Sequence, residues 1–182
     1  SSVDDAPRPV LLQRTPYGKG DGRTPPGAAF IRKALARGYG VFLQDVRGRY
    51  ASDGDFDPYR QEGRDGYDTV EWIANQPWSN GRIGTYGVSY PAATQWLLAV
   101  EAPPHLRCIF PSMTFSSARE FFYFGGAFDM SWLPYLIQNI APDIRRRLKL
   151  PDPPGTADRP GRDALAKAAL WHVPLNTVEA LK

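Results

Sequence analysis

Gly87-Val88-Ser89-Tyr90-Pro91 sets a serine hydroxyl between a short apolar run, Ile83 to Tyr86, and a helix-forming run from Tyr90 to Val100. A serine on a sharp strand-to-helix bend is the setting of a nucleophile elbow, in which the hydroxyl stands out over the end of a sheet. The chemistry would be acyl transfer, since a serine hydroxyl attacks a carbonyl once a base takes its proton. Gly87, two residues earlier, supplies the missing side chain that such a bend needs. A bare G-x-S occurs by chance about once in a chain of this size. The flanking strand and helix, and the rest of the chain, therefore carry the reading.

The second residue after Ser89 is Pro91 and not the Gly of the general G-x-S-x-G form. The oxyanion donor at an elbow is the backbone N–H of the residue after the nucleophile, here Tyr90. A proline one place later removes only an N–H that the first helical turn leaves unpaired. Its local cost would fall on Tyr90, because residues before proline resist the α region.

These groups need elements to hold them. At 182 residues the chain is one domain, or one domain and part of another. Val10 to Leu12, Tyr39 to Gln44, Ile83 to Tyr86 and Cys108 to Phe110 read as short strands, the second apolar enough to be buried on both faces. Ala28 to Ala36, Gly63 to Asn75 and Tyr90 to Val100 read as helices between them, with a turn at Asn80-Gly81. This alternation predicts the α/β class, a mostly parallel sheet with flanking helices. Such sheets bind ligands at the carboxyl ends of their strands. The loops Thr15 to Pro26 and Asp45 to Asp57, and the turn at Ser89, should converge there.

From about Ser116 the character changes. Phe121 to Phe124, Phe128, Trp132 and Tyr135 are aromatic-rich, and helical segments follow near Met130 to Leu148 and Asp163 to Lys182, separated by a Pro/Gly/Asp linker from Pro151 to Gly161. The expected organisation is a core over 1–115 and the start of a helical cap over 116–182. Most of these aromatics should pack between cap and sheet, and some should line a substrate pocket.

A net charge of +3 is too weak and too scattered to argue for nucleic acid or an anionic membrane as partner, and no stretch is apolar enough to span a bilayer. Arg145-Arg146-Arg147 reads as a solvated helix end, Asp65 and Asp68 as solvated or capping residues at a helix start, and Trp72, Trp78 and Trp96 as core. Asp45, Arg47, Asp53 and Asp55 read as an ion pair and turn caps holding a loop. Cys108, the single cysteine, reads as a buried inert thiol, and no Cys/His cluster is spaced for metal. One cysteine and no visible leader favour a cytoplasmic setting.

Five stretches then occur in order: Arg14-Thr15-Pro16-Tyr17-Gly18-Lys19, Gln44 to Gly54, Asp65 to Ile73, Gln76 to Gly84, and Gly87-Val88-Ser89-Tyr90. Together they resemble the cocaine esterase and X-prolyl dipeptidyl aminopeptidase (CocE/NonD-type) family of α/β-hydrolases, over about Val10 to Met113. The resemblance implies a serine hydrolase acting on carboxylic esters or amides through a Ser–Asp–His triad, without metal or organic cofactor. Ser89 matches its nucleophile, Tyr90 the residue whose backbone N–H forms half of the oxyanion hole, and Tyr17 the tyrosine whose hydroxyl forms the other half. Where the family has a final Gly in G-x-S-Y-x-G, this chain has Ala92, small enough for the packing to survive.

In that family the triad acid and histidine lie beyond the cap, so they are expected outside this chain, which would be the N-terminal part of a larger enzyme and inert alone. Of the two histidines, His105 reads as a surface loop residue and His172 as packing or capping. The expected function is cleavage of small esters or related acyl bonds through an acyl-enzyme on Ser89. The alternatives are an X-prolyl peptidase or β-lactam acylase acting on amides, or a decayed hydrolase serving as a binding protein. Whether copies of the chain form a homo-oligomer is left open.

Overall fold

The alternating pattern is realised as β1 (Arg8–Thr15), α1 (Ala28–Ala36), β2 (Gly40–Asp45), α2 (Glu62–Ala74), β3 (Ser79–Val88), α3 (Tyr90–Val100) and β4 (Leu106–Ser112). The computed structural model describes residues 6–20 and 27–171. The four strands form one sheet in the order β2-β1-β3-β4, every neighbouring pair parallel. Two compact units result, Ser1–Ser116 and Ser117–Lys182.

Successive strand side chains point to opposite faces. Val10 and Leu12 of β1 and Ile83 of β3 share one face and bury against Val70 and Ile73 of α2 and Leu98 of α3. Each such side chain contributes about 1.5–3 kcal/mol relative to exposure. Helices α2 and α3 meet closely because α2 carries glycine at the contact. A Cβ on Gly63 would lie 2.9 Å from the Leu97 carbonyl oxygen, and one on Gly66 would lie 3.1 Å from Leu98 Cδ1. Helix α1 covers the other face, where the Phe30 ring sits 4.5 Å from that of Tyr86. Gln95 of α3, 2% exposed, locks the α3 face: its Oε1 accepts from Thr85 Oγ1 at 3.0 Å and from the Phe110 N–H at 2.9 Å.

Several expectations need correction. β2 is half-buried for most of its length, because it stands at the edge of the described sheet. The Asn80-Gly81 turn signal is real but lies inside β3: Gly81 has φ 75°, Asn80 Oδ1 accepts from the Arg82 N–H, and the register against β1 shifts there. Trp72, Trp78 and Trp96 are 53%, 41% and 48% exposed, not core. Trp72 and Trp78 pack on each other and on Phe42 of β2, beside the sheet edge and not under a covering layer. Trp96 points away from the face on which Leu98 is buried. Cys108 is exposed, since β4 is the other edge strand of the described sheet.

The second unit opens with α4 (Ala118–Phe122), capped by Ser117, and a hairpin of β5 (Tyr123–Phe124) and β6 (Ala127–Phe128). Gly125-Gly126, both at positive φ, make the two-residue turn that such a hairpin favours. A 3-10 turn (Met130–Trp132), α5 (Leu133–Tyr135), a π-helical turn (Leu136–Ile140) and α6 (Ala141–Arg147) run on as one helical stretch. The widened turn precedes Pro142, whose ring would collide with the carbonyl four residues back in a regular helix. Helix α7 (Arg159–Ala169) begins four residues earlier than the pattern predicts, because Asp158 caps the Gly161 N–H and Pro160 fits the first turn. Leu133 and Ile137 bury against Ala166 and Ala169 of α7. The rings of Phe121, Phe122, Trp132 and Tyr135 pack on one another. Arg145 is buried, contrary to the solvated-end reading, because its guanidinium turns back to the Pro151 carbonyl, and Arg146 pairs with Asp143.

Candidate active site

Ser89 sits between the last residue of β3 and the first of α3, with φ 66° and ψ −124°. A side-chain-bearing residue held at positive φ costs about 1–3 kcal/mol and persists only where its surroundings over-determine it. Three contacts do so here. The Ser89 N–H donates to the Ser112 carbonyl of β4 at 3.0 Å, and its own carbonyl accepts from the N–H groups of Ala92 and Ala93 at 2.9 and 3.1 Å. The corner is tight enough that a Cβ on Gly87, itself at φ 155°, would lie 2.5 Å from Pro91 Cβ. Pro91 falls in the first turn of α3, where its missing N–H leaves no helical bond unmade. Positive φ is found at Ser89 and not at Tyr90, so the backbone strain sits on the serine. Ala92, where the resembled pattern has Gly, packs with no exposure at all.

Ser89 is exposed while Tyr90 is buried. The Tyr90 amide is the first N–H of α3, and such groups have no intrahelical acceptor. Half-buried Tyr17 follows the end of β1, its own N–H held by Thr15 Oγ1 at 3.1 Å. The Tyr17 and Tyr90 rings meet edge to face with centroids 6.5 Å apart. The structure thus brings together all three sequence-predicted site residues, Ser89, Tyr90 and Tyr17, at the carboxyl ends of β1 and β3.

The surrounding loops converge there as well. Asp45, at the end of β2, accepts from the Lys19 N–H at 2.7 Å, tying the loop after β1 to the one after β2. Arg49, fully buried, donates to the Pro16 carbonyl at 2.9 Å and lies over the rings of Tyr50 and Phe56. Arg47 makes a two-point ion pair with Asp65, at 2.9 and 2.6 Å, which raises the affinity of its guanidinium for its proton. Asp65 is therefore a partner of this loop and not a solvated helix-start charge.

Beneath Tyr90 lies a polar cluster that the sequence reading missed. The Tyr90 hydroxyl donates to Glu62 Oε1 at 2.7 Å and accepts from the Tyr59 N–H at 3.2 Å. Arg14 of β1 donates to the Glu62 backbone carbonyl at 2.6 Å, and the same nitrogen lies 3.1 Å from Glu62 Oε2. That nitrogen thus serves the Glu62 backbone carbonyl and its carboxylate at once, pairing the buried charge. Burial pushes the Glu62 carboxyl above its ordinary range, opposed by Arg14 and by the Tyr90 hydroxyl. Burial also pushes the Tyr59 and Tyr90 phenols above the usual tyrosine value, so Tyr90 keeps the proton it donates. No local signal marked it: Arg14 and Glu62 both fall just outside the strand Val10 to Leu12 and the helix Gly63 to Asn75 read from the sequence.

His105 is not brought to Ser89. His105 immediately precedes β4, and Ile83 pairs with Leu106 there. Ile83 lies six residues before Ser89 along β3, about 20 Å from the corner at the rise of a parallel strand. His105 Nδ1 is paired at 2.7 Å with Glu71 of α2. His172 lies outside the described residues. Among the described residues no group of His, Cys, Asp or Glu side chains is arranged to hold a metal ion. No helix among them is long and apolar enough to cross a membrane.

Comparison with known proteins agrees with this architecture. The X-Pro dipeptidyl-peptidase (S15 family) pattern matches residues 3–159. The cocaine esterase of Rhodococcus sp. (strain MB1 Bresler) is 42% identical over 114 residues, covering 60% of this chain and 19% of that esterase. A CocE/NonD family hydrolase from Staphylococcus aureus superposes with a TM-score of 0.68 at 30% identity, over 82% of this chain and 30% of that one. An aminopeptidase from a marine-sediment Thaumarchaeota archaeon superposes with a TM-score of 0.62 at 27% identity, over 73% of this chain and 26% of that one. The chain thus spans less than a third of each of these relatives.

Proposed function

The chain belongs to the X-Pro dipeptidyl-peptidase (S15) family and has a sheet of α/β-hydrolase type, and from that premise we propose that it carries the nucleophile and oxyanion hole of a serine hydrolase cleaving carboxylic esters or related acyl bonds. The observation that carries the proposal is Ser89, exposed at positive φ on the strand–helix corner, with Tyr90 beside it and the Tyr17 ring against that of Tyr90.

In the reaction, the Ser89 Oγ–H proton passes to a base while Oγ bonds to the substrate carbonyl carbon. The carbonyl oxygen takes the negative charge and is met by two donors, the Tyr90 N–H and the Tyr17 hydroxyl. Collapse expels the alcohol, which leaves with the proton held by the base, and water then releases the acyl group from Ser89. Preplaced donors of this kind account for about 2.7–4 kcal/mol of barrier each.

The base and its carboxylate come from the remainder of a longer enzyme, and this chain alone is essentially inert, since losing a triad base costs about 10⁶ in turnover. The outer edge of β4 suits attachment of that remainder. Phe110 and Met113 are 72% and 86% exposed at its end, and no strand among the described residues pairs with its far side. The region over 116–182 is read as the start of a helical cap.

A second reading, cleavage of an amide by the same groups, is favoured by the family's description and by the likeness to an aminopeptidase. The test is fluorophosphonate labelling of the full-length enzyme, followed by turnover of aryl esters and aminoacyl-proline amides. Labelling at Ser89, lost in Ser89→Ala together with turnover, is expected. A Ser89→Ala enzyme that still turns over either substrate would refute the proposal, and the faster substrate class separates the two readings.

A further inference from the structure

We propose that Glu62 is a positioning residue of this site: its buried carboxylate anchors the Tyr90 phenol and so sets the direction of the Tyr90 amide. The inference rests on the reading of that amide as an oxyanion donor.

Glu62 is the first residue of α2 and 4% exposed. A carboxylate in that place is costly, and an apolar residue would seat α2 at lower cost. A polar tether supplies direction, which packing alone does not. Its far end holds the Tyr90 phenol at 2.7 Å, and the phenol is held again by the Tyr59 N–H at 3.2 Å. The ring between phenol and backbone is fixed on three sides. It stacks on Tyr59 at 4.4 Å, tilts against Phe56 at 6.2 Å and meets Tyr17 edge-on at 6.5 Å. A side chain clamped at its tip and along its ring leaves its own backbone little freedom, and that backbone begins α3 immediately after Ser89.

The same carboxylate reaches toward the other donor. Arg14, 3.1 Å from Glu62 Oε2, is the neighbour of Thr15, whose hydroxyl holds the Tyr17 N–H. One buried group therefore ties together the end of β1 that presents Tyr17 and the corner that presents the Tyr90 amide. Both donors must aim at one oxygen, and a misplacement of about 1 Å at such a site costs about 10²-fold in rate.

The experiment compares Glu62→Ala, Glu62→Gln, Tyr90→Phe and the Glu62→Ala/Tyr90→Phe double variant in the full-length enzyme, with an activated aryl ester and near-UV circular dichroism to confirm folding. Glu62→Ala and Tyr90→Phe should each lower kcat about 10–100-fold with KM changed less than about twofold, the pattern of an interaction made only in the transition state. The double variant should be no worse than the worse single one, because both remove one link. Glu62→Gln keeps an acceptor for the phenol and should retain about a third of kcat or more. A folded Glu62→Ala enzyme with kcat within about twofold of the parent overturns the proposal. So does a loss carried by KM, a loss in Glu62→Gln as large as in Glu62→Ala, or a multiplicative double variant. If Glu62→Ala does not fold, Tyr90→Phe decides, and an unchanged kcat there overturns the proposal. Turnover that persists in Ser89→Ala would instead remove the underlying reading of the site, and the proposal with it.

Discussion

Gly87→Ala is the substitution that tests the corner most directly. A Cβ at this residue would stand 2.5 Å from Pro91 Cβ and 3.0 Å from the Pro91 carbonyl carbon and oxygen, on a backbone with φ 155°. Ordinary carbon contacts lie at about 3.5–4.0 Å, so Pro91 must retreat by about 1 Å. Overpacking of this kind costs about 1–3 kcal/mol, and the glycine-favoured dihedral adds a similar amount. Pro91 cannot move alone: it is bonded to Tyr90, and its carbonyl is held by Gln95 Nε2 at 3.0 Å and Thr94 Oγ1 at 3.0 Å. The first turn of α3 therefore shifts, carrying the Tyr90 amide away from the point at which it must meet the oxyanion. A displacement of about 1 Å predicts a loss of about 10²-fold in both kcat and the rate of fluorophosphonate labelling. The assay is labelling of the full-length enzyme under pseudo-first-order conditions, with turnover of an aryl ester alongside. A folded Gly87→Ala enzyme that labels within about twofold of the parent rate would refute the geometric argument, because the tightness of the corner would then be irrelevant to the chemistry.

Tyr17→Phe removes one proposed oxyanion donor and leaves the ring in place; kcat should fall about 10²–10³-fold with the far-UV circular dichroism spectrum unchanged. Gln95→Leu strips the Phe110 N–H and the Thr85 hydroxyl of their acceptor in a buried setting; a stability loss of about 1–3 kcal/mol is expected, read as a lower urea midpoint for the core. Arg47→Ala breaks an ion pair whose arginine is half exposed; the expected stability change is under about 1 kcal/mol, and a urea midpoint shifted by more would show a larger role for the loop. Alkaline titration has a definite sign. Burial raises the phenols of Tyr59, Tyr86 and Tyr90 above their ordinary 10.0, Tyr86 to about 12, so between these values the folded chain holds more protons than the unfolded one. Stability is then unaffected by these groups below pH 10.0 and falls as pH rises above it, which tyrosinate absorbance should report as late, cooperative ionisation on unfolding.

The alternation of strands and helices, the sharp corner at Ser89 and the loops that crowd one sheet edge were all legible in the chain itself. Each depends on near neighbours: strand-length apolar runs, helical periodicity, and Gly87 and Pro91 at fixed offsets from Ser89. Tyr17 was legible only through resemblance, since nothing local distinguishes it from a turn tyrosine beside Pro16. What the tertiary structure decided was which residues lie at an edge and which charges find partners. Trp72, Trp78 and Cys108 are apolar enough for a core, yet the strand order β2-β1-β3-β4 leaves them beside the outer strands. Glu62 and Tyr90 are 28 residues apart, and Arg14 is 48 from Glu62. Local sequence constrains backbone dihedrals over a few residues. A buried carboxylate is instead stabilised by whichever donors the folded sheet carries to it, and only the three-dimensional packing determines those.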